Sequence, residues 1–203
     1  MTTQVLEQAT EERLIRRRAS AEEFWSLPES LMHIEYVDGH IVTIPTPSLF
    51  HQRALGRVFI ALYDFVEEDG LEKAAGGKKV GRLFVKPPDV ALPSGDVVQP
   101  DLFFLAAGDA RRAAEEQRVR CSPPFAVEVL SSATAEHDTL TKWALYGKNG
   151  VREYWIVDAE KRTVAQLVLR RRHHVLTEPG ESDTIKASVP AGFEMTVGEL
   201  LGV

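Results

Sequence analysis

FAVEVLS, residues 125–131, is a nearly continuous apolar run with a single acid, Glu128, at its centre. Such a run reads as a strand buried on both faces, the signature of a sheet covered by helices. Upstream, VVQPDLFFL (97–105) repeats the theme with Asp101 set among apolar neighbours. VGRLFVK (80–86) and DVAL (89–92), with a Pro93-Ser94-Gly95 turn, supply further strand pieces. Downstream, helical spacing runs from about Thr134 to Lys148, and Asn149-Gly150 is a helix stop. EYWIVD (153–158) and TVAQLVLRR (163–171) then form a hairpin. This order predicts an α/β fold with a central mixed sheet flanked by helices.

Toward the N-terminus, HIEYV-DG-HIVTI (33–44) reads as a β-hairpin, because Asp38-Gly39 suits the positive φ angles of a two-residue turn. From Ser48 to about Glu68, Leu55, Val58, Phe59, Leu62, Phe65 and Val66 recur at helical spacing. Ser20 and Glu23 have the spacing of a capping box and start a short helix ended by Pro28. Residues 1–18 lack an apolar face and read as a loose or partly helical arm. VLTEP and TIKASV are weaker strands, a C-terminal β extension before a last helix capped by Thr196 and Glu199. Residues 106–122 read as a surface loop or short helix.

The 203 residues correspond to one domain at roughly 150 residues per domain, drawn as an arm over 1–19 and a single domain over 20–203. Hydrophobic residues at 44% and charged residues at 27% are enough for a core without staples. The lone Cys121 excludes an internal disulfide and a multi-thiolate zinc site, and with no leader-like or spanning segment a cytoplasmic protein is expected. A net charge of −6 argues against nonspecific coating of nucleic acid, but two acid-free basic stretches stand out. One holds Lys73, Lys78, Lys79, Arg82 and Lys86; the other runs from Lys161 to His174 with Arg162, Arg170, Arg171 and Arg172. They read as solvated faces or as phosphate contacts. Gly76-Gly77-Lys78 lacks the setting of a phosphate loop and is read as a loop.

Burying an unpaired carboxylate costs several kcal/mol, so Asp101 and Glu128 each need a cation, a donor or a metal. On neighbouring strands ~4.8 Å apart, both side chains reach one point. Mg²⁺ takes one or two carboxylates and keeps several waters. Asp101, Glu128 and the Val129 carbonyl would leave room for a water and a phosphate oxygen, the arrangement that phosphodiester hydrolysis needs.

Pro100-Asp101 followed 27 residues later by a strand acid resembles the PD-(D/E)XK nuclease superfamily. Glu35-x-x-Asp38-Gly39, His51, Gln99-Pro100-Asp101, Glu128-Val129-Leu130-Ser131, Asp138-x-x-x-Lys142-x-x-x-Tyr146 and Gly150-Val151-Arg152-Glu153-Tyr154-Trp155 together resemble the Uma-two family of restriction-endonuclease-like proteins. The likeness spans about residues 20–201, including Pro190-Ala191-Gly192-Phe193. It implies a restriction-endonuclease-like core, a metal-dependent endonuclease acting on DNA, and Mg²⁺ or Mn²⁺ held by Asp101 and Glu128 with Val129. One departure stands out: Leu130 occupies the position of the superfamily lysine. The resemblance implies that the lysine has moved to Lys142 on the next helix, and that Glu35 joins the acidic cluster from the hairpin.

Each assignment has a plainer counterpart. Asp138 and Lys142, four apart, also suit an exposed ion pair worth a few tenths of a kcal/mol. Glu35 also suits a solvent-facing strand, His51 a packing or capping role, and Asp89 a strand edge. Tyr154 and Trp155 read as core, and Cys121 lacks a histidine partner for a thiol nucleophile. The catalytic expectation is Asp101, Glu128, Lys142 and Glu35, with DNA as substrate and a homodimer to cut both strands. The rival is a nuclease-like module that binds nucleic acid or a protein partner without cutting. A glycosidase using two carboxylates finds little support, because the tryptophans stand in apolar settings.

Overall fold

The computed structural model describes residues 14–28, 33–68, 80–86 and 88–202. Lys73, Lys78, Lys79, the Gly76-Gly77-Lys78 loop and residues 1–13 of the arm lie outside them. Two sheets organise the chain. The first is five-stranded and antiparallel, in the order β1 (Ile15–Arg18), β3 (His40–Ile44), β2 (His33–Val37), β6 (Val97–Val98), β5 (Val90–Ala91). The second is six-stranded and mixed, in the order β11 (His173–Thr177), β10 (Thr163–Arg170), β9 (Glu153–Asp158), β8 (Phe125–Val129), β7 (Leu102–Ala106), β4 (Gly81–Val85). Only β8 and β9 run parallel in it, which is what the helical crossover between them allows.

The helices are α1 (Ala21–Trp25), α2 (Leu49–Tyr63), α3 (Ala107–Glu116), α4 (Trp143–Lys148) and α5 (Val197–Leu201). A π-helical turn, Asp64–Glu68, extends α2, and another, His137–Lys142, runs directly into α4. Strands β12 (Thr184–Lys186) and β13 (Glu194–Thr196) pair as a small separate ladder before α5. No helix among the described residues is long and apolar enough to cross a membrane.

Alternation along β7 and β8 builds two cores. Leu102, Phe104, Phe125, Val127 and Val129 pack with Leu55, Val58 and Leu62 of α2 and with the C-terminal segment. Phe103, Leu105 and Ala126 face the other way, toward Leu145, Tyr146, Val37 and Val42. Period-two alternation puts Glu128 on the side of Ala126, beneath α4. The hairpin is as expected, with Asp38 at φ 49° and Gly39 at φ 73°. Ser48 caps α2 and Ser20 caps α1, each accepting from the backbone N–H three residues on.

The arm reading is corrected for residues 15–18. They form β1, which pairs with the open edge of β3 and places Arg16 opposite Val42. Backbone pairing needs no apolar periodicity in IRRR, which is why the pattern gave no sign of it.

Candidate active site

The antiparallel register of β7 and β8 pairs Leu102 with Val127, so the next residues outward, Asp101 and Glu128, stand opposite each other. Both are buried, at 2% relative exposure. Val129 N–H donates to Asp101 Oδ2 at 2.8 Å, and Asp101 N–H makes a long 3.4 Å contact with Glu128 Oε2. The two strand acids therefore meet, as their setting in the sequence suggested.

Lys142 reaches them directly. Its Nζ lies 2.8 Å from Glu128 Oε1, 2.9 Å from Glu35 Oε1 and 3.4 Å from Asp138 Oδ1. The exposed-ion-pair reading of Asp138 and Lys142 is thus replaced by a buried cluster, in which Lys142 is 1% exposed. Tyr146 OH donates to Glu128 Oε1 at 3.0 Å, and Tyr154 OH donates to the Asp138 carbonyl at 3.0 Å. Glu35 is fully buried rather than solvent-facing, and it also accepts from Gln99 N–H at 2.9 Å. His51 Nε2 lies 3.0 Å from Asp101 Oδ2, so His51 packs into the cluster from the first turn of α2. Asp89 accepts from Gln99 Nε2 at 2.8 Å.

Lys86, Arg16 and His137 escaped the sequence reading, as did His33, whose Nε2 lies 3.6 Å from Glu35 Oε1. Lys86, taken as part of a basic face, pairs its ammonium with Asp101 Oδ1 and lies 3.4 Å from His33 Nδ1. Arg16 donates to His137 Nδ1 at 3.2 Å. That makes Nδ1 an acceptor, so His137 Nε2 carries the hydrogen it gives to Glu35 Oε2 at 2.8 Å. An α-helix turns residues 137 and 142 about 140° apart, onto different faces. The π-helical turn is wider and brings His137, Asp138 and Lys142 together into the interior.

Charge is unevenly matched. Burial pushes the Glu128 carboxyl well above its ordinary range, Lys142 opposes this, and the charges of Asp101, Asp138 and Glu35 reinforce it. Asp138 is raised too, chiefly by burial. For Glu35, burial is outweighed by the Lys142 ammonium, by the hydrogen bond from His137 and by the His33 ring 3.6 Å away, which hold it well below the usual range. Asp101 is likewise held low, because His51 and Lys86 overcome its burial. Burial works against the Lys142 ammonium, but Glu128, Glu35 and Asp138 prevail and keep it charged.

A cleft of about 20 Å³ opens among Lys86, Asp101, Glu128, Asp138 and Lys142, space for about one water-sized species. The donors fit a hard divalent cation. Among the described residues, Asp101 Oδ1 is buried with the Lys86 ammonium as its one polar partner, a cation that an ion would displace, while Glu128 Oε2 has only its long contact with Asp101 N–H. Among the described residues, no three His, Cys, Asp or Glu side chains form a ready-made cage. Mg²⁺ does not require one, since it usually keeps several waters.

Comparison with known proteins agrees with this architecture. The chain is similar in fold to a crystal structure described as "a putative nuclease belonging to DUF820 from Anabaena variabilis ATCC 29413", with a TM-score of 0.73 at 16% identity, covering 90% of this chain and 97% of that one. No curated relative matches. A family model described as "Uma2: Putative restriction endonuclease" matches residues 21–198, from α1 into α5 and across every strand of both sheets except β1. The chain therefore belongs to the Uma2 family, that of the Uma-two resemblance.

Proposed function

We propose that the protein is a divalent-metal-dependent endonuclease that hydrolyses DNA phosphodiester bonds at the Asp101–Glu128 cleft. The observation that carries this reading is the meeting of two buried carboxylates across adjacent strands with the Lys142 ammonium on one of them. Asp101, Glu128 and the Val129 carbonyl would hold Mg²⁺ or Mn²⁺. Such an ion polarises a phosphate oxygen and lowers the pKa of its water. Lys142 spends its donors on three carboxylates, so it fixes Glu35 and Glu128 and keeps their charge compensated. Asp138, the most distant of the three, is the partner whose release would free one N–H for the attacking water. Lys86, with its side chain 16% exposed against 1% for Lys142, is the lysine of the cluster nearer solvent and suits an incoming phosphate.

The engagement of Lys142 and the leucine at 130 favour the second reading, a module that binds without cutting. One experiment separates them. Supercoiled plasmid with Mn²⁺ or Mg²⁺ should be nicked by the wild type and left intact by Asp101→Asn and Glu128→Gln. Mn²⁺ should raise the wild-type Tm, a gain that Asp101→Asn loses. A plasmid left intact by wild type despite a metal-linked gain in Tm would establish the non-cutting module. A two-fold dimer, one site per strand, is the assembly expected of the cutting form, and light scattering reads it.

A further inference from the structure

A second cavity, of about 520 Å³, lies behind the strand that carries Glu35. On β2, His33 and Glu35 join the catalytic cluster, and Ile34 between them lines this cavity instead. Trp25 and Phe84 give it aromatic wall. Asp89 and Gln99, joined by their 2.8 Å hydrogen bond, give it a polar floor. Arg118 and Arg120 line it as exposed cations, and the Arg118 guanidinium lies 5.1 Å from the centre of the Trp25 ring. None of these seven residues belongs to the Asp101–Glu128 cleft.

The volume falls within the roughly 300–1,000 Å³ of small-molecule sites. Its chemistry is divided in a particular way. Aromatic rings offer stacking to a flat heterocycle, and every nucleobase has such a face. The Asp89 carboxylate is an acceptor for an exocyclic amine, and the Gln99 carboxamide offers both donor and acceptor. Two guanidiniums provide forked donors for a phosphate. A purely apolar ligand would leave the floor and the arginines unmatched, and a free anion would leave the rings unused. We infer that this cavity binds a single nucleotide, its base against Trp25 and Phe84 with the amino edge at Asp89 and Gln99, and its phosphate at Arg118 and Arg120. The Gln99 side chain lines the cavity while its backbone N–H holds Glu35 Oε1 at 2.9 Å, so the occupant would sit one residue from the catalytic cluster.

Two sources offer this chemistry: a free nucleoside monophosphate, or an unpaired nucleotide of a DNA strand. The second rests on the nuclease reading and the first does not. Titration calorimetry with the full chain carrying Asp101→Asn, the variant expected not to cut, distinguishes them. The probes are the four deoxynucleoside monophosphates, inorganic phosphate, and a duplex with or without one unpaired nucleotide. A monophosphate that binds about tenfold more tightly than inorganic phosphate identifies the free nucleotide. A duplex preference of that size for the unpaired nucleotide, without monophosphate binding, identifies the strand. In either case Arg118→Gln and Trp25→Ala should each weaken binding about tenfold, whereas Lys186→Gln, on the exposed β12 ladder, should not. Arg118 is exposed, so its variant tests the site even where Trp25→Ala disturbs α1. Binding of neither probe, or inorganic phosphate binding as tightly as the nucleotides, overturns the inference. Failure of wild type to nick plasmid counts against the catalytic reading alone and leaves these titrations standing.

Discussion

The Lys86 ammonium pairs with Asp101 Oδ1, the buried oxygen of that carboxylate that has no other polar partner among the described residues. A resident cation at this point competes with any metal that Asp101 would take. Lys86→Gln should therefore tighten Mn²⁺ binding about tenfold, or ~1.4 kcal/mol, measured by calorimetry. Unchanged or weaker affinity would show that the ammonium and the ion do not contend for the same oxygen.

Glu128 sets a pH dependence. Its folded pKa is raised, by burial first, above an ordinary value of 4.5, so its contribution to stability is complete below that pH and is lost as pH rises through the folded value. Asp101 and Glu35 are shifted down, and their contributions are lost only as pH falls. Without metal, wild-type Tm should drop relative to Glu128→Gln as pH climbs above about 4.5. Parallel Tm profiles for the two proteins would contradict this.

His137 acts on the site through Glu35, as a positioning residue. His137→Ala should lower kcat/KM by about 10–100-fold, the usual worth of a group that orients a ligand residue. His137→Gln, which keeps a donor, should recover part of that loss at equal metal affinity. Equal activity of the two variants would reduce the histidine to filling space.

As an exposed partner of Asp138, Lys142 could be truncated to alanine at a cost of only a few tenths of a kcal/mol. Burial changes that expectation, because the substitution strands three carboxylates around an empty position. About 3–5 kcal/mol of stability should be lost, seen as a reduced midpoint in urea. Lys142→Arg, which retains the charge, should recover most of it.

Arg170, Arg171 and Arg172 are exposed at the β10–β11 turn. Glutamine at all three positions should flatten the dependence of DNA affinity on salt by up to about three phosphate contacts, read from binding at several salt concentrations. An unchanged slope returns this stretch to a solvated face.

The sheet, the hairpin and the Asp101–Glu128 meeting were legible because alternation and burial leave direct marks on sequence. An acid in an apolar strand is nevertheless an ambiguous mark. Glu153 is as buried as Glu128, yet its oxygens take hydrogen bonds from Trp155 Nε1, Gln166 Nε2, the Ser188 backbone and hydroxyl, and Val189 N–H. That carboxylate pins the C-terminal segment and has no oxygen left for chemistry. What separates the two acids is the supply of donors, which depends on residues distant in sequence. His137 was hidden for a different reason: a π-helical turn breaks the spacing by which helix faces are read. Lys86 was hidden because five cations with no acid among them look like a solvated surface until one of them turns inward.

Strand β1 has a practical consequence. The family match begins at residue 21, whereas Arg16 lies before it and fixes the tautomer of a histidine inside the cluster. A protein trimmed to the family boundary would retain every acid and lysine of the cleft, but it would uncover the edge of β3 and leave His137 free to turn over. The smallest portable unit of this site is therefore longer than the family's own outline.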